Sequence, residues 1–516
     1  MALNIIQKPR YKTYAAGQDI IYVIEEDTNV ITTQTNVKFL ADIYIANDNS
    51  QILSGHIGQF KATPNNAGVG IFDFSAIIEN YVSPDYTGCD TTLALGFTSQ
   101  SKFKTVGFDE AANYHPVHLI DQYCLSTDSI KWLTIRFRIE YTGADGDSNT
   151  VQVDPSMNAY INQDLFFNGV LYDTDILEYG TDAWNLNNFG YKLDTLGDSS
   201  RISYILQTDG AGRGTGNMLS DAPTTQYARI TDYGTLPFLN NLTQTNNSFE
   251  VGKSGTTPNT VNYIRISLYN SAGATLGTFN VDNLQSTGGY SANSPDLPST
   301  TFATPSLIYF GAFPANFTGS GNATWTTHKS NVSYYTVAPF NNEGSPVAMG
   351  ETYTINIITG DCKYESIRLT WLNKHGTWDY YTFVKKSVRS LATNRTNYTQ
   401  LGGTWNNRTF RSRGDKGGQK NFRVNTKESI RINSDYVTEA EAVWFEQLIN
   451  STDVYILNEY FDTPSGVAYA GGNVNRYIEP VVITTSNYTR KTIGNDKLIQ
   501  YTFDMERAND RRTQSV

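Results

Sequence analysis

The sequence predicts a mainly β, multidomain protein: immunoglobulin-like or jelly-roll β-sandwiches followed by a C-terminal β-rich module with one main helix. Three observations carry that reading. Apolar residues recur at every second position in many separate runs, clusters of Asn, Asp, Gly and Pro divide the runs, and a helix-start signal joined to helical spacing stands out in one stretch. With 516 residues the chain exceeds the roughly 250 to 300 at which a single core stops growing. Three regions are expected, residues 1–115, 116–345 and 346–516.

In the first region, Ile20–Ile24, Val37–Ile45 and Gly70–Phe74 read as strands. Asn47-Asp48-Asn49 and Pro64–Gly68 break them at the spacing of an immunoglobulin-like sandwich, and Ser75–Tyr81 has room for a single helical turn. In the second region, Ile130–Tyr141 is the clearest central strand, and Tyr263–Tyr269 lies among turn signals such as Asp209-Gly210 and Thr287-Gly288-Gly289. A sandwich or jelly roll accounts for it, and it can be an insertion, with the strand at Trp132 pairing with the alternating Tyr353, Ile355 and Ile357.

In the third region, Ile367, Leu369 and Trp371 alternate, Asn373-Lys374-His375-Gly376 turns the chain, and Thr377–Val384 returns as a β-branched and aromatic strand. A loop follows. Thr438-Glu439-Ala440-Glu441 then matches a capping box, so a helix is expected from Thr438 to Asn450. Its apolar face would hold Ala440, Val443, Trp444 and Leu448, leaving Glu439, Glu446 and Gln447 towards solvent. Val454–Leu457, Val481–Ile483 and Lys497–Phe503 complete the set as strands.

The run Lys363–Leu369 through Trp371-Leu372-Asn373, then Gly376 and Trp378-Asp379-Tyr380, then the Thr-Glu-Ala-Glu helix with Trp444, resembles virion tail or adapter proteins of tailed bacteriophages, those of Bacteroidota-infecting and crAss-like phages. The resemblance covers the last third of the chain, with a weaker echo in Ile5–Arg10 and Ala15–Asp19. It implies a particle component of the tail, made in the host cytoplasm, and it supplies no catalytic residue.

Composition narrows the chemistry. Hydrophobic residues make up 39%, enough for packed cores, while the charged fraction of 17% falls below the roughly 25% of ordinary domains and leaves polar, uncharged surfaces suited to strands and contacts. The net charge of −11 repels duplex nucleic acid except at a local basic strip. One such strip exists: Arg408, Arg411, Arg413 and Lys416 with Lys420 and Arg423, next to Trp405, in a Gly-rich loop. A solvated loop or an ion-pairing partner for an acidic neighbouring subunit explains it better than nucleic-acid binding, and Arg413-Gly414-Asp415 carries no weight as a tripeptide. Cys89, Cys124 and Cys362 are too dispersed for a zinc knuckle or a disulfide framework. No basic leader precedes a long apolar run, and no run approaches the roughly 20 residues of a membrane helix, so no membrane insertion is expected.

Candidate metal and phosphate motifs all fall short. Asp145–Asn149 starts like a calcium loop but has Thr150 where Gly belongs and Ser156 where Glu belongs. Pro116 separates His115 and His118, near Asp121 and Cys124, from any helical pairing. Gly210–Gly216 misses the dinucleotide pattern and reads as flexible. No nucleophile elbow, zincin helix or phosphate-binding loop appears, and five histidines leave few general bases of that type. Trp132, Trp371, Trp378 and Trp444 sit at core phases, whereas Trp184, Trp325 and Trp405 lie in Asn- and Gly-rich stretches and are candidates for contact with a subunit or a glycan.

The expectation is therefore a non-enzymatic virion structural protein of the tail tip, baseplate or adapter, with no cofactor or metal. Its partners would be other copies of itself and neighbouring virion proteins, assembled symmetrically. The alternative is a receptor-binding fibre or a carbohydrate-binding module that meets a host surface glycan.

Overall fold

The computed structural model describes every residue except 1–2, 10–12, 27–29, 48–52, 86–122, 127, 143–150, 171–203, 205, 209–212, 241–242, 246–247, 251–259, 284–305, 320–321, 342–345, 360–362, 405–407, 458–477, 492–498 and 513–516. The protein is mainly β, with several sheets and few helices. Its contacts divide it into two units. The first comprises Met1–Thr359 with Leu372–Asp379 and 462–471; the second comprises 360–371, 380–461 and 472–516.

The first unit opens with a β-sandwich. One layer is the sheet β1 (Leu3–Gln7), β3 (Ile21–Glu26) and β6 (Gly70–Asp73), in the order β1-β3-β6. The other holds β2 (Thr13–Gly17), β4 (Thr35–Ala46), β5 (His56–Ala62), β8 (Ile130–Thr142) and β9 (Val151–Val170), in the order β2-β9-β8-β4-β5. Alternation sets which side chains meet between the layers. Tyr22 and Phe72 from the small sheet pack on Phe137 of the large one, with ring centroids 5.8 and 5.7 Å away, and Phe39, Ile43, Ile135 and Phe166 join the same core. β8 lies in the centre of its sheet as its apolar run requires, and Ser75–Tyr81 forms the short helix α2 (Ser75–Ile78) and a 3₁₀ turn, after the single-turn α1 (Val30–Thr33).

Two expectations need correction here. The strand containing Trp132 pairs with β4 and β9, so the expected boundary at residue 115 cuts through one sheet. Tyr353 and Ile355 pair elsewhere.

The remainder of the first unit contains a six-stranded sheet, β12 (Thr225–Ala228), β21 (Tyr353–Ile357), β19 (Tyr334–Asn341), β16 (Tyr263–Tyr269) and β17 (Thr275–Asp282) in that order, with β20 (Val347–Ala348) on β19. Residues 347–357 thus complete this sheet rather than open the last module. A three-stranded sheet runs β13 (Thr235–Asn240), β18 (Ser306–Gly311), β7 (Tyr123–Leu125). Two small ribbons pair β10 (Gln207–Thr208) with β11 (Gly214–Thr215) and β14 (Thr243–Thr245) with β15 (Ser248–Glu250), so part of the glycine-rich run is strand. Helices α3 (Pro314–Gly319) and α4 (Ala323–His328) precede β19.

The second unit is built on a seven-stranded sheet in the order β23 (Trp378–Phe383), β22 (Ile367–Leu372), β26 (Val454–Leu457), β27 (Ile478–Ile483), β28 (Thr502–Arg507), β25 (Gly418–Asn433), β24 (Val388–Gln400). Helix α5 (Glu439–Asn450) starts at the expected capping box: Thr438 Oγ1 accepts from the Glu441 amide at 3.2 Å, and Glu441 Oε2 accepts from the Thr438 amide at 2.7 Å. Trp444 lies 4.9 Å from Trp371 between ring centroids, and Phe445 lies 5.0 Å from Tyr381 and 5.5 Å from Phe503. The buried stripe is Ala442, Trp444, Phe445, Gln447 and Leu448. It is rotated from the expected face, because Phe445 is the larger hydrophobe; Ala440 and Val443 are exposed and Gln447 is buried.

Candidate functional site

The expected loop after the C-terminal hairpin is a long β-arm. β24 and β25 pair antiparallel from Val388 opposite Arg431 at the root to Gln400 opposite Gly418 at the far end. β25 also pairs with β28, but only over Ser429–Asn433. From Gly418 to Glu428 its ladder partner is therefore β24, with one isolated bridge from Thr426 to Arg511. β24 ends the sheet and has no second neighbour among the described residues. Every residue from Val388 to Thr399 is exposed. The sequence dictates this, since Ser390, Thr393, Asn394, Thr396, Asn397 and Thr399 leave neither face apolar enough to enter a core, while threonine and valine still favour extended backbone.

A two-stranded ribbon is marginal in water by itself. Here the root is fixed by charge. The carboxylate of Glu428, 4% exposed, accepts from Arg389 Nη1 at 2.9 Å. Its other oxygen lies 3.2 Å from Arg507 Nε and 3.0 Å from Arg511 Nη2. Arg389 also donates to Glu365 at 2.6 Å; burial pulls the Arg389 guanidinium down, but Glu428 and Glu365 hold its pKa above the usual value. Beside this cluster Arg431 grips Asp504 with two bonds, at 2.7 and 3.0 Å.

Beyond the root, the arm presents cations and apolar side chains together. Leu391 and Leu401 are 65% and 74% exposed, and Tyr398, Phe410 and Phe422 are exposed as well. Phe422 occupies a β-bulge, the register stepping from Thr396 opposite Arg423 to Asn397 opposite Asn421. Gly403 (φ +74°) lets the tip pass close to the Phe410 ring, which a Cβ would meet at 2.1 Å. Of the basic residues expected to form an interface, Arg408, Arg411, Arg413 and Lys416 lie in the loop between the two strands and Lys420 lies in β25. Arg413 is held by Asp415 at 3.1 Å and Lys420 donates to the Asp415 carbonyl at 2.5 Å. Arg408, Arg411 and Lys416 make no ion pair among the described residues, and neither does Arg395 on β24.

Sequence reasoning missed Arg389, Arg395 and Lys427, because only the compact strip stood out as a cluster. The available signal was the whole segment: Val388–Asn433 holds ten Lys and Arg against Asp415 and Glu428, a net of +8, so the rest of this −11 chain carries −19.

The three aromatic candidates divide differently. Trp325 is not on a surface. It is fully buried in the first unit, where Asn322 caps α4 by accepting from the Trp325 amide, the indole Nε1 donates to Thr318 Oγ1 at 2.9 Å, and the ring meets Phe317 and Tyr335 edge-on at 5.4 and 5.7 Å. Trp184 and Trp405 lie outside the described residues, as do His115, His118, Asp121 and the Asp145–Asn149 stretch.

A second polar cluster surrounds the turn 373–377, within the first unit. Gly376 (φ +73°) lies so close to the Asn168 carbonyl that a Cβ would sit 1.5 Å from it, and Val170 donates to the Lys374 carbonyl at 2.8 Å. Asp221 receives His375 Nε2 at 3.3 Å, Lys374 Nζ at 3.2 Å and the Tyr204 hydroxyl. Burial alone would raise the Asp221 carboxyl; His375, Lys374 and Tyr204 outweigh it and hold the carboxyl far below the usual range. The Ser220 hydroxyl donates to Asp379 at 2.5 Å rather than to His375, so the group has the wiring of a clasp and not of a nucleophile with its base. No protein-family model and no curated protein sequence matches the chain.

Proposed function

We propose that the chain is a non-enzymatic structural subunit of a bacteriophage particle, belonging to its tail, and that the arm fastens one subunit to the next. The arm carries the reading: a rooted β-ribbon with an open edge, exposed Leu, Tyr and Phe side chains and four unpaired cations, on a chain that is otherwise acidic. Isolated proteins normally blunt such an edge, whereas a partner that covers it would gain ladder hydrogen bonds and apolar burial together. The resemblance of residues 363–380 and 438–444 to phage tail and adapter proteins supports the particle as the place.

The test is sedimentation of the purified chain at low ionic strength, beside a variant with Arg408→Glu and Arg411→Glu. Assembled species are expected for the wild type and mainly monomers for the variant, with identical thermal unfolding. A wild type that stays monomeric at tens of micromolar overturns the proposal. The receptor or glycan alternative loses Trp325 to the core.

A further inference from the structure

We infer that two copies join head-to-tail, the arm of one lying on the outer face of the β1-β3-β6 sheet of the next; this rests on the assembly role proposed above. Charge disfavours contact of one arm with another first. Two arms of net +8 repel each other, while each is attracted to the remainder of another copy, which carries −19.

The small sheet offers the complementary surface. Its inner face supplies Tyr22, Ile24 and Phe72 to the sandwich core. On its outer face the register places Asn4 beside Glu25, Val23 beside Ile71 and Ile21 beside Asp73. Asp19 precedes Ile21 by two residues and is exposed, as are Ile6, Ile71 and Asp73. The three strands contain no Lys or Arg. Asp19 and Glu25 make no ion pair among the described residues. This face therefore exposes Ile6 and Ile71 near the carboxylates of Asp19 and Asp73, with Val23 covered, the counterpart of the arm face on which Leu391 and Arg395 share one strand phase and which leads to Arg408 and Arg411 in the tip loop. A contact between two different patches is heterologous. It closes into a ring or continues as a filament, and it leaves each intermediate with one free arm and one free face.

Two variants separate the ends: an arm variant with Arg395→Glu, Arg408→Glu and Arg411→Glu, and a face variant with Asp19→Lys and Glu25→Lys. Each alone is expected to weaken self-association at low salt by at least about 100-fold. An equimolar mixture retains one intact pairing, a wild-type arm with a wild-type face, and is expected to give a 1:1 dimer that grows no further by native mass spectrometry. Wild-type association should also disappear between about 50 mM and about 0.5 M salt. Unchanged melting curves exclude misfolding.

If the wild type associates but the mixture stays monomeric, the head-to-tail pairing is wrong while the assembly role stands. If the wild type never associates, both fail. A 20-base-pair duplex retained by the wild type and released by the arm variant, in the absence of self-association, would mean that the arm serves nucleic acid and would also overturn the inference.

Discussion

The Trp444 ring is packed by Trp371 and Phe445, at 4.9 and 5.3 Å between centroids, so its removal leaves a cavity that the surrounding rings cannot close. Trp444→Ala is expected to destabilise the second unit by about 3 to 5 kcal/mol, read as a lower urea midpoint. An unchanged midpoint would show that the ring contributes nothing to the core. Asp221 makes a prediction of opposite character, one that depends on pH. Its folded pKa lies below the unfolded value of about 3.9, so its stabilisation is complete above that pH and is lost as pH falls from there towards the depressed folded value. The stability gap between the wild type and Asp221→Asn should therefore be level near neutrality and shrink on acidification below about pH 4. A gap that widens in acid would contradict the assignment.

Elements were legible where a local rule had one solution. The capping box fixed the start of α5 because Thr438 and Glu441 satisfy each other without help from the rest of the fold. Thr438→Ala should cost about 1 kcal/mol, measured by the same denaturation. Gly376 marked its turn for a comparable reason, and the alternation in β6 and β16 reported a buried face directly. The arm gave no such signal. Alternation marks a strand only when one face is wet and the other dry, and from Val388 to Thr399 both faces are wet. Its strands consequently read as loop, although the cations at its tip were visible. Trp325 failed the other way: flanking Asn and Gly suggested a surface, but Asn322 is there to cap the short helix that buries the ring. Pairing partners were also beyond reach, since nothing local announces that β8 joins β4 from about 95 residues earlier in the chain.

At the scale of the molecule, the separation of charge between arm and remainder is the property that composition averages away: −11 describes neither part. It predicts that association strengthens as salt is lowered and that neutralising Glu25 and Asp19 weakens it, although neither residue belongs to the arm. Sedimentation across a salt series checks this, and salt-independent behaviour would point to apolar burial alone. Glu428 sets the mechanics. A ribbon whose β24 strand has 13 residues is about 40 Å long, so a tilt of about 5° at the root displaces the tip by about 3 to 4 Å, roughly the rise of one residue along a strand. The Glu428 carboxylate is hydrogen-bonded to Arg389 and lies within ion-pair distance of Arg507 and Arg511, so in the proposed assembly Glu428→Gln should broaden the angular spread between neighbouring subunits before it weakens their attachment.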